Sequence, residues 1–267
     1  MEKALVIYSP DTLRSGLCEA IDQFILSNTD LLLHSRTYRR LSSQQVFDLY
    51  EKNNLKSRTA GKLVSTLFRF GPSAISIWKG NLAHKKIGSL KGVSNPFAAS
   101  SNSIRGRFLC DNKISNLVHS SDSIEDTAQE LQALSCDHLI LDSAIVENDL
   151  ALDFRPKLNH NGFYEFMKLL ERKHSTRYLS ESVEKNLWDM NANELCSELT
   201  SVYTLRVSLD DSIAKSGFQR FVKGEKVSLP ELSEFVDPWS YFIITCSWNA
   251  FDNPYQASDE TGSGDAV

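Results

Sequence analysis

The residues with the clearest chemical potential surround one histidine, His119. It ends a short apolar run that begins at Asn116, and the serine and aspartate side chains of residues 120–123 follow it directly. Such side chains cap helices, and the spacing from residue 123 to Asp126 is similar to a capping box, so a helix is expected to begin there. Amides at a helix start and the nearby Arg105 guanidinium stabilise phosphoryl oxygens, while an imidazole attacks phosphorus. The pattern therefore indicates a site for phosphate chemistry.

The first 135 residues alternate between apolar runs and stretches of helical period, which is typical of an α/β domain. Short strand–helix–strand units of this kind predict a ferredoxin-like sandwich, in which helices cover one face of a sheet. Residues 94–103 contain Asn-Pro and many serines and predict a loop. The predicted strands are residues 4–9, 31–38, 73–78 and 116–119, and the predicted helices are residues 12–26, 42–51, 63–70, 82–91 and 123–134.

Residues 136–256 differ in character and predict an acidic α+β region of unassigned type. Residues 1–135 hold 17 Lys and Arg against 12 Asp and Glu, whereas residues 136–267 hold 12 against 22. This asymmetry indicates two units with different partners. A polyanionic ligand such as a nucleotide would bind the basic first half more readily. The alternative is that surface charge varies along the chain without a functional reason. Strands are predicted at residues 138–146, 204–207 and 241–246, helices at residues 163–172 and 181–202, and a disordered tail at residues 257–267.

The composition excludes several classes of protein. Hydrophobic residues make up 41% of the 267 residues and charged residues 24%, which excludes a wholly disordered chain and a fibrous protein. No apolar stretch approaches the roughly 20 residues that span a bilayer, and the first residues lack the apolar core of a signal peptide. Five widely spaced cysteines favour reduced thiols over a disulfide framework or a zinc ribbon. These features predict a cytoplasmic protein.

Five short motifs, taken in order, resemble one known family. Asn-Leu-Val-His-Ser-Ser-Asp-Ser at residues 116–123 is similar to the Asn-x-x-His-Gly-Ser-Asp-Ser hallmark of the nucleoside diphosphate kinases, with Ser120 in place of glycine. Ile-Arg-Gly-Arg-Phe at residues 104–108 is similar to the family's Ile-Arg-Gly-Asp-Phe. The resemblance runs from about residue 3 to residue 134, half of the chain. The other motifs are Gly-Val-Ser-Asn-Pro at residues 92–96, Gly71-Pro72 followed by Ile-Trp-Lys-Gly at residues 77–80, and Pro10-Asp11.

The resemblance implies the fold and the two-step reaction of the nucleoside diphosphate kinases. The terminal phosphate of a nucleoside triphosphate passes to a histidine and then to a nucleoside diphosphate, with Mg²⁺ held by the phosphates and no metal ligand from the protein. It implies that His119 is the phosphorylated nucleophile and that Glu130 orients the imidazole by accepting its other N–H. The family forms symmetric oligomers, which implies a homo-oligomer. The implied nucleotide-binding residues are Tyr50, Arg58, Ser94, Arg105, Asn116 and Ser121.

Three further departures remove two cations and one stacking ring of the family pattern. Ser9 replaces a lysine, Gly88 replaces an arginine, and Thr59-Ala60-Gly61 stands where the family has an aromatic residue that stacks on the base. One well-placed cation contributes about 2–4 kcal/mol to a phosphoryl-transfer transition state, and a stacking ring about 1–3 kcal/mol to base recognition. The cations able to compensate are Lys56, Lys62, Lys85, Lys86, Lys91 and Arg107.

These departures leave two alternatives to an ordinary kinase. The domain can be a nucleotide-binding sensor or scaffold with little turnover, whose residues 136–256 engage a protein partner. Alternatively, the pocket acts on a modified or unusual nucleotide, because the position that stacks on the base has changed. Nucleotide binding is common to all three hypotheses.

Three other groups of residues have a structural and a functional interpretation. The arginines among residues 36–40 favour a solvated strand edge over a nucleic-acid patch. Cys136, His138 and Asp142 alternate along one predicted strand without zinc-type spacing and are interpreted as packing. Trp239, Tyr241 and Trp248 are interpreted as the core of the second half rather than a ligand site. We therefore expect neither a nucleic-acid partner nor a membrane contact.

Overall fold

The computed structural model describes residues 1–50, 59–143, 146, 159–227 and 230–251. The chain divides into two compact units, and neither follows a single cut in the sequence. The first, which we call the sheet unit, comprises Met1–Gly92, Asn102–Ile104 and Leu117–Leu158. The second, the helical unit, comprises Val93–Ser101, Arg105–Asn116 and Asn159–Val267. A domain boundary after residue 135 stays a prediction, and the tail predicted at residues 257–267 lies outside the described residues.

The sheet unit is built on a four-stranded antiparallel sheet. Its order is β2-β3-β1-β4, and each neighbouring pair is antiparallel. This is the ferredoxin-like arrangement, and it confirms the fold predicted for the first half. The central strand β1 is buried without interruption from Ala4 to Tyr8, as its continuous apolar run requires. The strands are β1 (Glu2–Tyr8), β2 (Leu32–Arg39), β3 (Ser73–Gly80) and β4 (Val118–Ser120).

The predicted helices of the first half are present with shifted ends, apart from one. The helix predicted at residues 12–26 is two helices, because Gly16 adopts a left-handed backbone (φ 66°) between them. The α-helices of the described residues are α1 (Pro10–Arg14), α2 (Cys18–Asn28), α3 (Ser43–Leu49), α4 (Thr59–Arg69), α5 (Ala83–Lys91), α6 (Ile104–Arg107), α7 (Ile124–Ala133), α8 (Gly162–His174), α9 (Glu181–Lys185), α10 (Ala192–Arg206), α11 (Ser212–Gly217) and α12 (Pro238–Ala250).

The three strands predicted in the second half are wrong. Asp137–Ile140 is a 3₁₀-helix, so no strand aligns Cys136 with His138, and Val146 pairs with Arg36 in an isolated bridge. Residues 204–206 continue α10, and residues 241–246 lie within α12. A short apolar run has no period that separates a strand from a buried helix, and packing on nearly all sides of α12 selects the helix. The described residues from 159 to 251 are helical rather than α+β.

Aromatic residues fill the core of the helical unit. Phe163 of α8 stacks on Phe221 with ring centroids 4.4 Å apart. Trp239 and Trp248 of α12 are 2% and 7% exposed, which confirms their interpretation as core residues. Burial of one such side chain contributes about 1.5–3 kcal/mol to folding. Leu109 belongs to the same hydrophobic cluster, so the segment Arg105–Asn116 shares this core with the C-terminal helices.

The described residues contain no helix with the length and apolar character needed to cross a bilayer. They also contain no group of three His, Cys, Asp or Glu side chains able to hold a metal ion. All five cysteines are free thiols, and burial raises the pKa of Cys18 and of Cys196 to about 12. These two thiols are therefore protonated at neutral pH and poor nucleophiles.

Candidate active site

A tightly held turn leads the chain into β4 and to His119. Leu117, just before β4, is fully buried and has a left-handed backbone (φ 74°), which costs about 1–2 kcal/mol. Its carbonyl oxygen accepts hydrogen bonds from the Ser9 N–H (3.0 Å), the Ser9 hydroxyl (2.7 Å) and the Thr12 hydroxyl. Its N–H donates to Asp11 Oδ2 across 2.9 Å. The start of α1 therefore fixes the start of the strand that carries the histidine.

The imidazole of His119 is held from one side by a carboxylate. His119 pairs with Ile7 of the central strand, and its side chain is 19% exposed. Nε2 lies 3.0 Å from Oε1 of Glu130, although its approach is not aligned with an N–H bond. We interpret the contact as electrostatic. It occupies the Nε2 side of the ring and leaves Nδ1 without this contact.

Glu130 is in turn held by Ser121, which follows β4. The Ser121 hydroxyl donates to Oε2 of Glu130 across 2.5 Å, so the two carboxylate oxygens face a hydroxyl and an imidazole. Ser121 is 1% exposed, and its N–H donates to the carbonyl oxygen of Leu5 across 3.2 Å. The resemblance assigns Ser121 to the nucleotide, whereas in the structure its hydroxyl bonds to Glu130.

Helix α7 places Glu130 by packing along β1. Its N-cap is Ser123, whose hydroxyl accepts the N–H of Asp126 across 3.0 Å. One turn before Glu130, the hydroxyl of Thr127 lies 3.0 Å from Nε2 of His84 on α5. The helix is therefore fixed at its start and in its middle, which is how a carboxylate far along it reaches the end of β4.

Tyr50 borders the imidazole on another side. The rings of Tyr50 and His119 lie edge to face, with centroids 5.3 Å apart and planes inclined by 70°. Tyr50 is the C-cap of α3 and is half-buried. Such an aromatic contact contributes about 0.5–1.5 kcal/mol and restricts rotation of the imidazole. Four of the predicted residues, Tyr50, His119, Ser121 and Glu130, are thus brought together within the sheet unit.

Among the candidate cations, Lys91 lies beside β4, whereas Lys56 lies outside the described residues. Lys91, at the end of α5, places Nζ 3.3 Å from the carbonyl oxygen of Ser120 and 3.7 Å from Oδ1 of Asp122. Lys86, on the same helix, pairs instead with the exposed carboxylate of Asp30. The sequence alone does not distinguish Lys91 from the other candidate cations, whereas the fold places it next to the strand that carries His119.

The three positions that lack a family cation or the stacking ring differ in burial and in free space. Ser9 is 6% exposed and is occupied by its bonds to Leu117. At Gly88 on α5, an added Cβ meets no atom within 4 Å, so the helix has open space there. Ala60, at the position of the stacking ring, is half-buried in α4.

Three other predicted residues belong to the helical unit. Arg105 lies in α6 and is 7% exposed. The side-chain amide of Asn116 donates to the carbonyl oxygen of Lys113 across 3.0 Å. Ser94 is half-buried and opens a turn of the chain. Arg58 lies outside the described residues.

The predicted solvated edge of β2 is wrong for Arg36. Its guanidinium is 7% exposed and binds Asp22 bidentately, with distances of 2.7 and 2.8 Å, and its Nε donates to Ser76. It also lies 4.7 Å from the centre of the Tyr8 ring. An arginine bound in this way is not available to nucleic acid. The alternation of side chains along β2 turns Arg36 inward, and its burial follows from that.

Comparisons with known proteins identify the same half of the chain. A family model described as nucleoside diphosphate kinase matches residues 2–136. A nucleoside diphosphate kinase of Campylobacter jejuni is 31% identical over 133 residues, which are 49% of this chain and 93% of the relative. One of Clostridium perfringens is 30% identical over 132 residues, 49% of this chain and 90% of the relative.

Solved structures of two such proteins align with part of this chain. The apo nucleoside diphosphate kinase of Encephalitozoon cuniculi is 23% identical with a TM-score of 0.48, covering 53% of this chain and 93% of that chain. A nucleoside diphosphate kinase family protein from Babesia bovis is 28% identical with a TM-score of 0.44, covering 50% of this chain and 87% of that chain.

Proposed function

The chain belongs to the nucleoside diphosphate kinase family, whose model matches residues 2–136, and we propose that it moves the terminal phosphate of a nucleoside triphosphate to a nucleoside diphosphate through a phosphohistidine at His119. The observation that supports this most is the 3.0 Å contact between His119 Nε2 and Glu130 at a partly exposed position. A ring held at one nitrogen presents the other in a defined direction, which attack on phosphorus requires.

In the first half-reaction the lone pair of His119 Nδ1 attacks the γ-phosphorus. The bond from that phosphorus to the bridging oxygen breaks, and its electron pair leaves on the nucleoside diphosphate product. Glu130 balances the positive charge that the ring gains, while Ser121 keeps the carboxylate in place. In the second half-reaction a terminal oxygen of another nucleoside diphosphate attacks the phosphohistidine, and Nδ1 regains its lone pair.

The nucleotide is assigned to the residues that the resemblance names. Arg58 and Arg105 hold phosphate oxygens, because the guanidinium fork suits bidentate binding of phosphate. Ser94 donates its hydroxyl, Asn116 contacts the sugar, and Tyr50 borders the site. The support from the structure is the position of Tyr50 beside the imidazole.

Mg²⁺ fits this scheme as a partner of the nucleotide. It prefers phosphate oxygens and water as ligands, and when bound it neutralises phosphate charge. Of the described carboxylates near β4, Glu130 contacts His119, and Asp122, whose side chain is 83% exposed, lies 3.7 Å from Lys91. The resemblance implies that the protein supplies cations and hydrogen-bond donors to the phosphates rather than ligands to the ion.

Incubation with [γ-³²P]ATP tests the proposal. The protein is expected to take up label in a form that is lost in acid and kept in alkali, as a phosphorus–nitrogen bond is. His119→Gln abolishes labelling, while the control His174→Gln, a histidine of α8, retains it. Absence of label in the wild type overturns the proposal.

A nucleotide-binding sensor or scaffold is the second candidate function. It is supported by Ser9, which is bound to Leu117 at the place of a family lysine, and by the vacant space at Gly88. Loss of a cation costs about 2–4 kcal/mol of transition-state stabilisation. The sensor is supported if calorimetry and thermal stabilisation show that the protein binds nucleotide, while no phosphate exchange is found with nucleotides of any base tested. Rapid exchange at catalytic protein concentrations excludes it.

Three further proposals rest on the family and on the composition. They are a homo-oligomer, a protein partner that binds residues 136–256, and a cytoplasmic location. Sedimentation at several protein concentrations tests the first, because an oligomer sediments faster than a 30.1 kDa chain.

A further inference from the structure

A buried carboxylate within the segment Arg105–Asn116 caps a helix of the C-terminal half. Asp111 is 1% exposed, and its Oδ2 accepts the N–H of Phe163, in the first turn of α8, across 2.9 Å. Its Oδ1 accepts from the hydroxyl of Ser247 on α12 across 2.7 Å and from the side chain of Asn112 across 2.8 Å. Hydrogen bonds to a carboxylate are short and directional, so donors from two helices fix this residue.

The backbone around Asp111 is bonded to the same helix start. Asn161, the N-cap of α8, donates its side-chain amide to the carbonyl oxygen of Leu109 across 2.9 Å. Nε2 of His160 lies 2.6 Å from the carbonyl oxygen of Phe108. Three residues of the segment are therefore attached to the residues that open α8.

The start of α8 and the Gly106 end of the segment are both closely packed. A Cβ placed on Gly162 comes within 2.1 Å of Ser247 Oγ and 2.7 Å of the carbonyl oxygen of Ile243, so α8 and α12 are in backbone contact. A Cβ placed on Gly106, at the other end of the segment, comes within 2.2 Å of the carbonyl oxygen of Ser100. The contact at Gly106 leaves little room for that end of the segment to move.

We propose that Asp111 is a positioning residue for nucleotide binding, because it holds the segment that carries Arg105 and Asn116 on the helical unit. The inference rests on the proposed function, which assigns these two residues to the nucleotide. A segment ordered before the ligand arrives loses less conformational entropy on binding, and this raises affinity.

Nucleotide affinity of the full chain tests the role of Asp111. Asp111→Ala removes both acceptor oxygens and weakens ATP binding, measured by calorimetry, about tenfold. Asp111→Asn keeps an oxygen for the N–H of Phe163 and restores most of the affinity. The matched control is Asp237→Ala, which removes the carboxylate that caps α12 through Trp239 and Ser240 and leaves ATP affinity unchanged.

A milder variant and a second measurement guard against loss of the fold. Ser247→Ala removes one donor to Asp111 and weakens ATP binding about two- to fivefold. Amide hydrogen exchange without nucleotide reports on the segment itself, so residues 105–116 exchange faster in Asp111→Ala than in Asp237→Ala.

The outcomes separate this inference from the proposed function. If the wild type binds nucleotide, and Asp111→Ala matches Asp237→Ala in both affinity and exchange, the positioning role is overturned alone. A wild type that binds no nucleotide overturns both. Weaker binding together with faster exchange in Asp111→Ala, and in no control, supports the positioning role.

Discussion

Ser121 Oγ and Glu130 Oε2 lie 2.5 Å apart, and this hydrogen bond ties the carboxylate that faces His119 to the sheet. Ser121 is anchored by its N–H to β1, and Glu130 is carried by α7. The carboxylate therefore has one oxygen committed to a fixed hydroxyl and the other left for the imidazole. In this arrangement the carboxylate that faces the imidazole is held by a residue nine positions from the glutamate.

Removal of the Glu130 charge is expected to slow phosphorylation without weakening nucleotide binding. Glu130→Gln keeps the size of the side chain but no longer balances the charge on the imidazole, so the rate of phosphohistidine formation falls about 10–100-fold. Rapid-quench labelling gives the rate, and calorimetry gives the affinity. Glu125→Gln, an exposed glutamate in the first turn of the same helix, keeps the wild-type rate. An unchanged rate in Glu130→Gln contradicts the proposed role.

Restoring a cation at Gly88 is expected to increase turnover. The helix has open space there, so Gly88→Arg is accommodated without a clash of its Cβ. The control Gly88→Ala gains the same helix propensity, worth about 0.8–1.0 kcal/mol of stability, but no charge. We expect Gly88→Arg to exceed Gly88→Ala about tenfold or more in phosphate exchange, while their unfolding midpoints agree. Equal exchange rates in the two variants count against a phosphate near this helix.

Loss of the Ser9 hydroxyl is expected to destabilise the turn before β4. Ser9→Ala removes one of the donors to the carbonyl oxygen of Leu117 and lowers the free energy of unfolding by about 1 kcal/mol. Ser89→Ala, at an exposed position on α5, changes it by less than about 0.5 kcal/mol. Urea denaturation followed by circular dichroism measures both. If the two variants unfold alike, the Ser9 bond does not hold Leu117 in place.

Asp111 is expected to make stability depend on pH. Burial raises its pKa from 3.8 to about 6, against the opposing effect of its hydrogen-bond donors. Between these values the folded protein binds more protons than the unfolded chain, so the free energy of unfolding falls as pH rises from about 4 to about 6. The shift corresponds to about 3 kcal/mol. Asp111→Asn flattens the pH dependence by this amount in urea titrations from pH 4 to 7, and parallel wild-type and variant curves contradict the assignment.

Much of the sheet unit could be predicted from the sequence, because its signals are local. Strand β3 is a short run of apolar and β-branched residues, and helix α7 has a helical apolar period and a capping serine, Ser123, at its start. The second half was harder, since residues 241–246 are apolar and partly β-branched yet lie in a helix buried on most sides. In such a segment tertiary packing outweighs the strand propensity of the residues.

The sequence by itself determined the family, the order of strands and helices in the first half, and the residue types around His119, because residue types and short spacings carry that information. Tertiary structure alone decided that Ser9 binds Leu117 and that Asp111 binds Ser247, contacts that join residues 108 and 136 positions apart. It also decided which nitrogen of His119 faces Glu130. Local patterns report on neighbours along the chain, whereas these choices depend on side chains that meet only when the chain has folded.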